Sequence, residues 1–273
     1  MSEELGIASM MNNGRQNTES NLMLSEPTCL ICNGTGYTIQ TIDGIDYAEQ
    51  CVCLKNRVKE NRIKFANIPR AFKEYRLNSF VANYYRDKAA LKELVDTIKY
   101  WMGHLDLAKE KGIGLYLYSN TKGAGKTRMV TSIANELIHE HDMTVKFVTS
   151  LDILTEIRAI WDKDTEFRSE GHLLDYLNTT EVLIIDDFGT EVHKDWIDDR
   201  FYQIINTRYI NKLITLFTSN YAIKELKYDD RIINRIQEMT YEIHFPEESV
   251  REYIATIRQE KLREEITQSG GTK

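Results

Sequence analysis

Apolar positions along residues 77–265 switch repeatedly between a helical period and short continuous runs. Met129, Val130 and Ile133 recur at the spacing of an amphipathic helix, which predicts a helix over 127–141. Residues 182–185 are all apolar, as expected for a strand in the middle of a parallel sheet. Similar patterns predict strands at 114–118, 144–149, 213–218 and 241–245, and helices at 86–101, 151–161, 196–209, 229–238 and 247–265. Strands alternating with helices predict an α/β fold with a doubly wound parallel sheet flanked by helices.

The rest of the chain divides by composition. Residues 1–25 are rich in Asn, Ser, Glu and Met, and residues 266–273 are short and polar, so both are predicted to be flexible tails. Residues 26–54 contain all four cysteines. Residues 55–76 carry eight Lys or Arg against two acids and are interpreted as a basic linker, a solvated helix face followed by a connector. Whether this basic stretch contacts DNA is left open.

Charge and hydropathy exclude several classes of protein. The formal net charge of −7 over 273 residues gives the whole chain no attraction to nucleic acid, so such a contact requires a local patch. No apolar stretch is long enough to span a bilayer, and the N-terminus lacks the basic start and apolar run of a secretion signal. We therefore expect a cytoplasmic protein with no membrane partner.

A glycine-containing loop lies between the strand predicted at 114–118 and the helix that follows. In P-loops, the backbone N–H groups of such a turn and the N-terminus of its helix face an anion. Lys126 is expected to reach the β- and γ-phosphates of ATP, and the Thr127 hydroxyl to bind Mg²⁺. The P-loop pattern has Gly at the position of Asn120, and we expect Asn120 to keep the turn through its tolerance of left-handed backbone. The residues expected to contact nucleotide are Asn120, Thr121, Lys122, Gly123, Ala124, Gly125, Lys126, Thr127 and Arg128.

Two aspartates follow the apolar run 182–185. Asp186 is expected to hold Mg²⁺, and Asp187 to orient or polarise the attacking water, because phosphoryl transfer depends mainly on positioning and charge neutralisation. Asn220, after the strand at 213–218, is placed to sense the γ-phosphate. An acidic turn and a turn-forming Asn are the plain alternatives, and the P-loop earlier in the chain disfavours the first of these.

Arginines follow on later elements. Arg231 and Arg235 are four residues apart on one helical face, and an arginine supplied by a neighbouring subunit stabilises the charge of a transferring phosphoryl group. Ordinary surface arginines are the alternative.

The cysteines form two pairs, Cys29 with Cys32 and Cys51 with Cys53. Four thiolates with no open position are typical of a structural zinc site, and a segment as short as 26–54 needs such stabilisation to fold. A redox dithiol is the alternative, but it explains one pair and leaves the second unused.

Several motifs resemble those of the DnaC/DnaI-type replicative helicase loaders, which carry an IstB-like ATP-binding domain. The resemblance runs from about Cys29 to Arg251 and includes the cysteine segment and the connector at 68–72. Its most specific parts are residues 182–191, 202–209, 218–220 and 231–235.

This resemblance implies an AAA+ P-loop ATPase domain over 77–265 that self-associates and contacts single-stranded DNA. It implies that 26–54 is a zinc-binding, helicase-interaction module that grips the hexameric replicative DNA helicase in a primosome. By position, Lys126, Thr127, Asp186 and Asp187 become the ATP and Mg²⁺ residues. Asn220 becomes sensor 1, Arg231 or Arg235 the arginine finger, and Arg251 a late arginine that contacts nucleotide as sensor 2.

Three functions remain open at this stage. The first is an ATPase that loads the helicase on single-stranded DNA during replication initiation, with slow hydrolysis that a partner or DNA stimulates. The second is an IstB-type transposition helper ATPase, which predicts strong duplex-DNA binding that a net charge of −7 does not encourage. A nucleotide-gated adaptor that barely hydrolyses ATP is a third, non-enzymatic hypothesis.

Overall fold

The computed structural model describes residues 29–80, 82–162, 170–192 and 194–270. The chain divides into two compact units, residues 1–56 and 57–273. The predicted N-terminal tail lies outside the described residues. The predicted C-terminal tail is helical as far as Gly270, and its last three residues also lie outside them.

The first unit contains a two-stranded antiparallel hairpin, β1 (Tyr37–Ile42) and β2 (Ile45–Gln50). Asp43 and Gly44 join the strands with φ angles of 52° and 78°. Positive φ at both positions is what a tight hairpin turn of this length requires, and Asp-Gly is a favoured pair for it. Ile39 is 71% exposed and Tyr47 is 51% exposed, so the hairpin presents apolar side chains to solvent.

A helix, α1 (Val52–Ala66), covers the first half of the stretch predicted as a basic linker. Within the second unit, the Lys59 ammonium donates to the carbonyl of His139 at 3.1 Å, and Arg62 pairs with Asp142. These contacts tie part of the basic stretch to the α/β unit. The remaining residues to 76 form short turns that include the 3₁₀ segment Arg70–Phe72.

The second unit is built on a five-stranded parallel sheet with the order β4-β5-β6-β3-β7. The central strands β5 and β6 are almost entirely buried because helices cover both of their faces. The strands are β3 (Gly114–Tyr118), β4 (Val145–Thr149), β5 (Val182–Phe188), β6 (Ile214–Ser219) and β7 (Thr240–His244). The carboxyl ends of these parallel strands meet at one edge, which is where ligands of such sheets bind.

Helices pack on the sheet in two clusters, one around α4 and one around α5, α6, α7 and α8. The buried stripe predicted for α4 is confirmed, with Met129, Val130 and Ile133 each at most 2% exposed. The helices are α2 (Lys88–Gly103), α3 (Leu105–Lys111), α4 (Lys126–Glu140), α5 (Ser150–Asp162), α6 (Glu170–Thr179), α7 (Asp195–Ile210), α8 (Asp230–Met239) and α9 (Val250–Gly270). None of the helices described has the length and apolarity needed to cross a membrane.

A fully buried arginine joins three elements at the end of the sheet where α6 and α7 finish and β6 begins. The Arg208 guanidinium donates to the carbonyls of Leu177 at 2.6 Å, Thr180 at 2.9 Å and Ile214 at 2.7 Å. Its Nε donates to the Thr215 hydroxyl at 2.9 Å. Burial lowers the pKa of Arg208 to about 9, so the group stays charged at neutral pH and is stabilised by oriented carbonyl dipoles.

Candidate nucleotide site

The loop between β3 and α4 has the tight backbone that a phosphate-binding turn needs. Gly123 and Gly125 have φ angles of 83° and 101°. A Cβ at Gly125 would lie 2.5 Å from the Tyr85 hydroxyl, which donates to the Ala124 carbonyl at 2.6 Å. A Cβ at Gly123 would lie 2.9 Å from the Cβ of Arg251, so both glycines are required by conformation and by space. The left-handed backbone expected at Asn120 is wrong, since the positive φ angles of this loop are those of Gly123 and Gly125.

Lys126, the first residue of α4, is buried with its ammonium inside the loop. Its Nζ donates to the carbonyls of Ser119 at 3.1 Å and Thr121 at 3.4 Å, and to the Asn220 side-chain oxygen at 3.0 Å. Burial lowers the pKa of Lys126, while nearby carboxylates partly offset that shift. The structure thus joins two predicted residues, Lys126 and Asn220, from neighbouring strand ends.

Asp186, at the end of β5, forms the acidic half of the site. Its carboxylate accepts hydrogen bonds from the hydroxyls of Thr127 at 3.0 Å and Thr218 at 2.5 Å. Burial raises the pKa of Asp186 to about 6, against the hydrogen bonds, which lower it. A hydroxyl and a buried carboxylate in contact are a donor pair that Mg²⁺ prefers, so the predicted pair Thr127 and Asp186 fits this ion.

Asp187 is exposed and has a φ of 55°, in the left-handed region that a non-glycine residue rarely adopts. Its N–H donates to the Thr218 hydroxyl at 3.0 Å, and its carbonyl accepts from Ser150 at 3.0 Å and Thr190 at 2.9 Å. These three contacts hold the strained backbone. The Asp187 side chain is exposed, whereas the Asp186 side chain is buried. The pairing of β5 with β6 shifts register at the same place.

The remaining loop residues differ in exposure. Lys122 is exposed. The Arg128 guanidinium donates to the Ser79 carbonyl at 2.8 Å and lies 4.4 Å from the centre of the Tyr75 ring. Because its side chain is engaged there, Arg128 offers the site its backbone N–H, one of the unpaired donors in the first turn of α4.

Glu247 is a site residue that sequence analysis missed. It lies between β7 and α9, and its carboxylate accepts the N–H groups of Asn120 at 3.0 Å and Thr121 at 2.7 Å. His244 Nε2 and the Ser119 hydroxyl also donate to it, at 2.8 and 3.1 Å. Burial raises the pKa of Glu247, but these hydrogen bonds lower it further, to about 2, so the group is ionised at neutral pH. No local pattern identifies a contact that spans 127 positions along the chain.

The predicted arginines occupy two different places. The Arg251 backbone N–H donates to the Gly123 carbonyl at 3.3 Å, so Arg251 lies beside the phosphate loop. Arg231 pairs with Asp229 and lies 4.7 Å from the centre of the Tyr202 ring. Arg235 bonds to Glu238 and Asn206 and lies 4.3 Å from the Tyr209 ring. The contacts of Arg231 and Arg235 are thus with α7, α8 and the residue before α8, while Arg251 contacts the loop.

The four cysteines come together in the first unit, with all four sulfur atoms within 4.8 Å of one another. Cys29 and Cys51 are 3.8 Å apart, and Cys32 and Cys53 are 3.4 Å apart. Zinc–sulfur bonds of about 2.3 Å in a tetrahedron place the sulfurs roughly 3.8 Å apart, so the geometry fits such an ion. The Gly36 N–H donates to the Cys32 sulfur at 3.3 Å.

Comparison with known proteins agrees with this geometry. The family model described as the bacterial DnaA ATPase domain matches residues 104–241. The chain is 24% identical over 217 residues to the phage-like element PBSX protein XkdC of Bacillus subtilis (strain 168), covering 77% of this chain and 79% of that protein. It is 35% identical over 120 residues to the replicative helicase loader DnaI of the same strain, covering 43% of this chain and 36% of DnaI.

A crystal structure of DnaI superimposes with a TM-score of 0.54 at 25% identity, over 66% of this chain and 95% of that chain. The five-stranded parallel sheet flanked by helices is therefore the AAA+ α/β fold. The sequence match to DnaI spans about a third of that loader's length, 36%, and includes one part of it only.

Proposed function

This chain belongs to the bacterial DnaA ATPase domain family, and from that premise we propose that it is an ATP-dependent loader of the replicative DNA helicase. Its task is to bind the helicase and help place it on single-stranded DNA during replication initiation. One observation supports the ATP-dependent part of this proposal. At the carboxyl edge of the sheet, Lys126 donates to Asn220 and Thr127 donates to Asp186. Similarity to a replicative helicase loader supports the rest.

The site's side chains have separate tasks in ATP hydrolysis. Lys126 would exchange its bonds to the Ser119 and Thr121 carbonyls for the phosphates, because its desolvated charge is stronger there than in water. Thr127 and Asp186 would hold Mg²⁺, which neutralises charge on the phosphates. Asn220 would position the water, and the exposed Asp187 would polarise it. Asp187 is short and its backbone is fixed, so we propose slow hydrolysis that a partner stimulates.

The cysteine unit is proposed to bind zinc and the helicase. Among residues 29–56 the buried ones are Cys32, Gly36 and Cys51, so a metal ion would supply the stability that a core does not. The apolar side chains of Tyr37 and Ile39, which are 50% and 71% exposed on one face of β1, offer a surface for a protein partner. This unit favours a loader over an IstB-type transposition helper, because a partner-binding module serves the first function.

Single-stranded DNA is proposed to contact an aromatic cluster beside α5 and α7. Trp161 and Trp196 are 5.0 Å apart, and the guanidinium groups of Arg158 and Arg200 lie 5.1 and 5.8 Å from the Trp196 and Trp161 rings. Trp161 is 47% exposed, although its ring N–H donates to Glu170. Indole faces and arginines are the groups on which unpaired bases stack. Because Arg200 pairs with Glu170, the proposed surface depends on the two indole rings and on Arg158.

The experiment that tests this function separates the two units in the full-length protein. Lys126→Ala is expected to abolish Mg²⁺-dependent ATP binding, measured by calorimetry, and to leave capture of the replicative helicase intact. Ile39→Asp is expected to do the reverse, because a charge on the exposed hairpin disturbs the partner surface without touching the phosphate loop.

Ile42→Asp is the matched control, since it makes the same substitution at an exposed isoleucine on the other face of the same strand. It should retain both ATP binding and helicase capture. Wild-type protein that captures no replicative helicase would overturn the loader assignment. Wild-type protein that takes up no ATP with Mg²⁺ would overturn the ATP-dependent mechanism.

A further inference from the structure

The first three residues of the phosphate loop are held from two sides by opposite charges. The Glu247 carboxylate accepts the N–H groups of Asn120 and Thr121 and the hydroxyl of Ser119. The Lys126 ammonium donates to the carbonyls of Ser119 and Thr121. Successive N–H groups that converge on one carboxylate form an anion-binding concavity that is already filled by a side chain of the same protein.

The two ties behave differently when a triphosphate binds. Lys126 would leave the two carbonyls for the phosphates, so its hold on Ser119 and Thr121 would end at that step. Glu247 lies on the segment between β7 and α9, and its hydrogen bonds described above are with Ser119, Asn120, Thr121 and His244 rather than with Lys126. The Glu247 carboxylate is therefore the tie that would remain once ATP is bound.

We propose that Glu247 is a positioning residue that keeps the beginning of the phosphate loop in its binding geometry when Lys126 turns to the phosphates. The inference rests on the proposed binding of ATP at this loop. It also explains how the loop tolerates Asn120, because a carboxylate fixes the N–H direction of a residue whose backbone is not left-handed. His244 holds the carboxylate in place through its Nε2 at 2.8 Å.

Charge alone predicts the opposite effect, and this makes the inference testable. A carboxylate near the phosphates repels them. If the role of Glu247 were purely electrostatic, any substitution that neutralises it would tighten ATP binding. A positioning role means that loss of the hydrogen-bond acceptor weakens binding, while an uncharged acceptor restores it.

The experiment compares Glu247→Ala, Glu247→Gln and Glu252→Gln in the full-length protein. Glu252→Gln removes the same charge from an exposed residue in the first turn of α9 and is the matched control. Loss of a charge-assisted hydrogen bond predicts that Glu247→Ala raises the dissociation constant of Mg²⁺-ATP about tenfold, with Glu247→Gln within about threefold of wild type. Glu252→Gln should bind ATP as wild type does.

A second measurement is independent of nucleotide. Hydrogen exchange of a peptide covering residues 119–124 should be faster in nucleotide-free Glu247→Ala than in wild type, because the N–H groups of Asn120 and Thr121 lose their acceptor. Unchanged exchange overturns the tie itself. Equal or tighter ATP binding by both Glu247 variants overturns the positioning role. Failure of wild type to bind ATP removes the proposed function and this inference with it, and the exchange result then shows whether the contact exists.

Discussion

The cysteine unit and the α/β unit differ in what fills their interiors. In residues 29–56 the buried positions are two cysteines and a glycine, and the strands β1 and β2 are exposed along nearly their whole length. In the second unit a five-stranded sheet is covered on both faces by two large apolar clusters. The first unit buries almost none of its apolar surface, whereas the second has an ordinary core. We therefore expect that the first unit needs a bound metal ion to fold, whereas the second folds by itself and needs a ligand only to act.

Removal of metal is expected to have the largest effect. If the cysteine unit stayed folded without metal, the difference drawn here between the two units would be wrong. A strong zinc chelator should unfold the cysteine unit, because binding of a structural zinc ion contributes on the order of 10 kcal/mol to folding. The α/β unit should keep its own thermal transition, with Cys32→Ser giving the same result without chelator. Far-ultraviolet dichroism and a zinc assay measure this outcome. A cysteine hairpin that stays protected from exchange in metal-free protein would contradict it.

The arginines of α8 are expected to have the next largest effect. We propose that Arg231 or Arg235 completes the nucleotide site of a neighbouring copy, since the contacts of both are with α7, α8 and Asp229 rather than with their own loop. Removal of such a group lowers hydrolysis by about 10³-fold. Adding Lys126→Ala protein, whose arginines are intact, should restore phosphate release to the arginine variant.

The arginine variant that behaves in this way identifies the finger. The other variant, tested in the same mixture, is the control because it removes an equal charge from the same helix. Absence of rescue for both variants would contradict a site shared between copies.

Asp186 lowers the stability of the α/β unit at neutral pH, because its carboxylate is buried where Mg²⁺ is proposed to bind. The folded pKa of about 6 lies above the unfolded value of 3.8, so the folded protein binds the proton more tightly. Stability from this group is present below about pH 4 and is lost as the pH rises through 6. Asp186→Asn should therefore stabilise nucleotide-free protein at pH 7.5 by no more than roughly 3 kcal/mol, and much less at pH 4.5.

The same substitution should abolish Mg²⁺-dependent ATP binding. Thermal unfolding at the two pH values and calorimetry with and without Mg²⁺ measure the two effects. Asp187→Asn is a suitable control for stability, since Asp187 is exposed and its carboxylate is solvated. A lower melting temperature for Asp186→Asn at pH 7.5 would show that its hydrogen bonds outweigh the cost of burial.

The smallest expected effect concerns DNA. Trp196→Ala should weaken the binding of a short single strand by about tenfold, because one stacked base contributes about 1–3 kcal/mol. Fluorescence anisotropy of a labelled oligonucleotide at fixed salt measures the change. Tyr100→Ala provides an exposed aromatic control on α2, far along the chain from the tryptophans. Equal loss in both variants would contradict a specific role for the tryptophan cluster.

Most of the α/β unit could be predicted because its periodic elements are long and its strands are apolar. The strand at Gly114–Tyr118 and the helices at α4, α5, α7 and α8 agree with the sequence pattern to within a few residues. The short helix α3 and the helix α6 were not predicted, because α3 has too few residues for a clear period and α6 follows a polar stretch. The basic segment contains a real helix, and its contacts with α4 were not visible in its composition.

For the site, residues tied to a local motif were found and residues brought in from afar were not. Lys126, Thr127, Asp186 and Asn220 lie together as expected, because parallel strands end at the same edge of the sheet. Glu247 and Tyr85 reach the loop from elements far away in the chain. The conformation of Asn120 was predicted from its residue type, whereas Asn120 has no positive φ and its N–H donates to the distant Glu247.

Arg208 carries a consequence for substitutions far from any ligand. Four acceptors surround one planar group, and three of them are carbonyl oxygens, in the last turn of α6, just after α6 and at the start of β6. A lysine keeps the positive charge but has three donors on a single nitrogen, which cannot reach oxygens arranged around a guanidinium fork. The substitution of Arg208 by lysine, usually regarded as mild, would leave buried carbonyl oxygens without hydrogen-bond donors. Chemical similarity between residues is therefore a poor guide at this position, where the shape of the cation matters more than its charge.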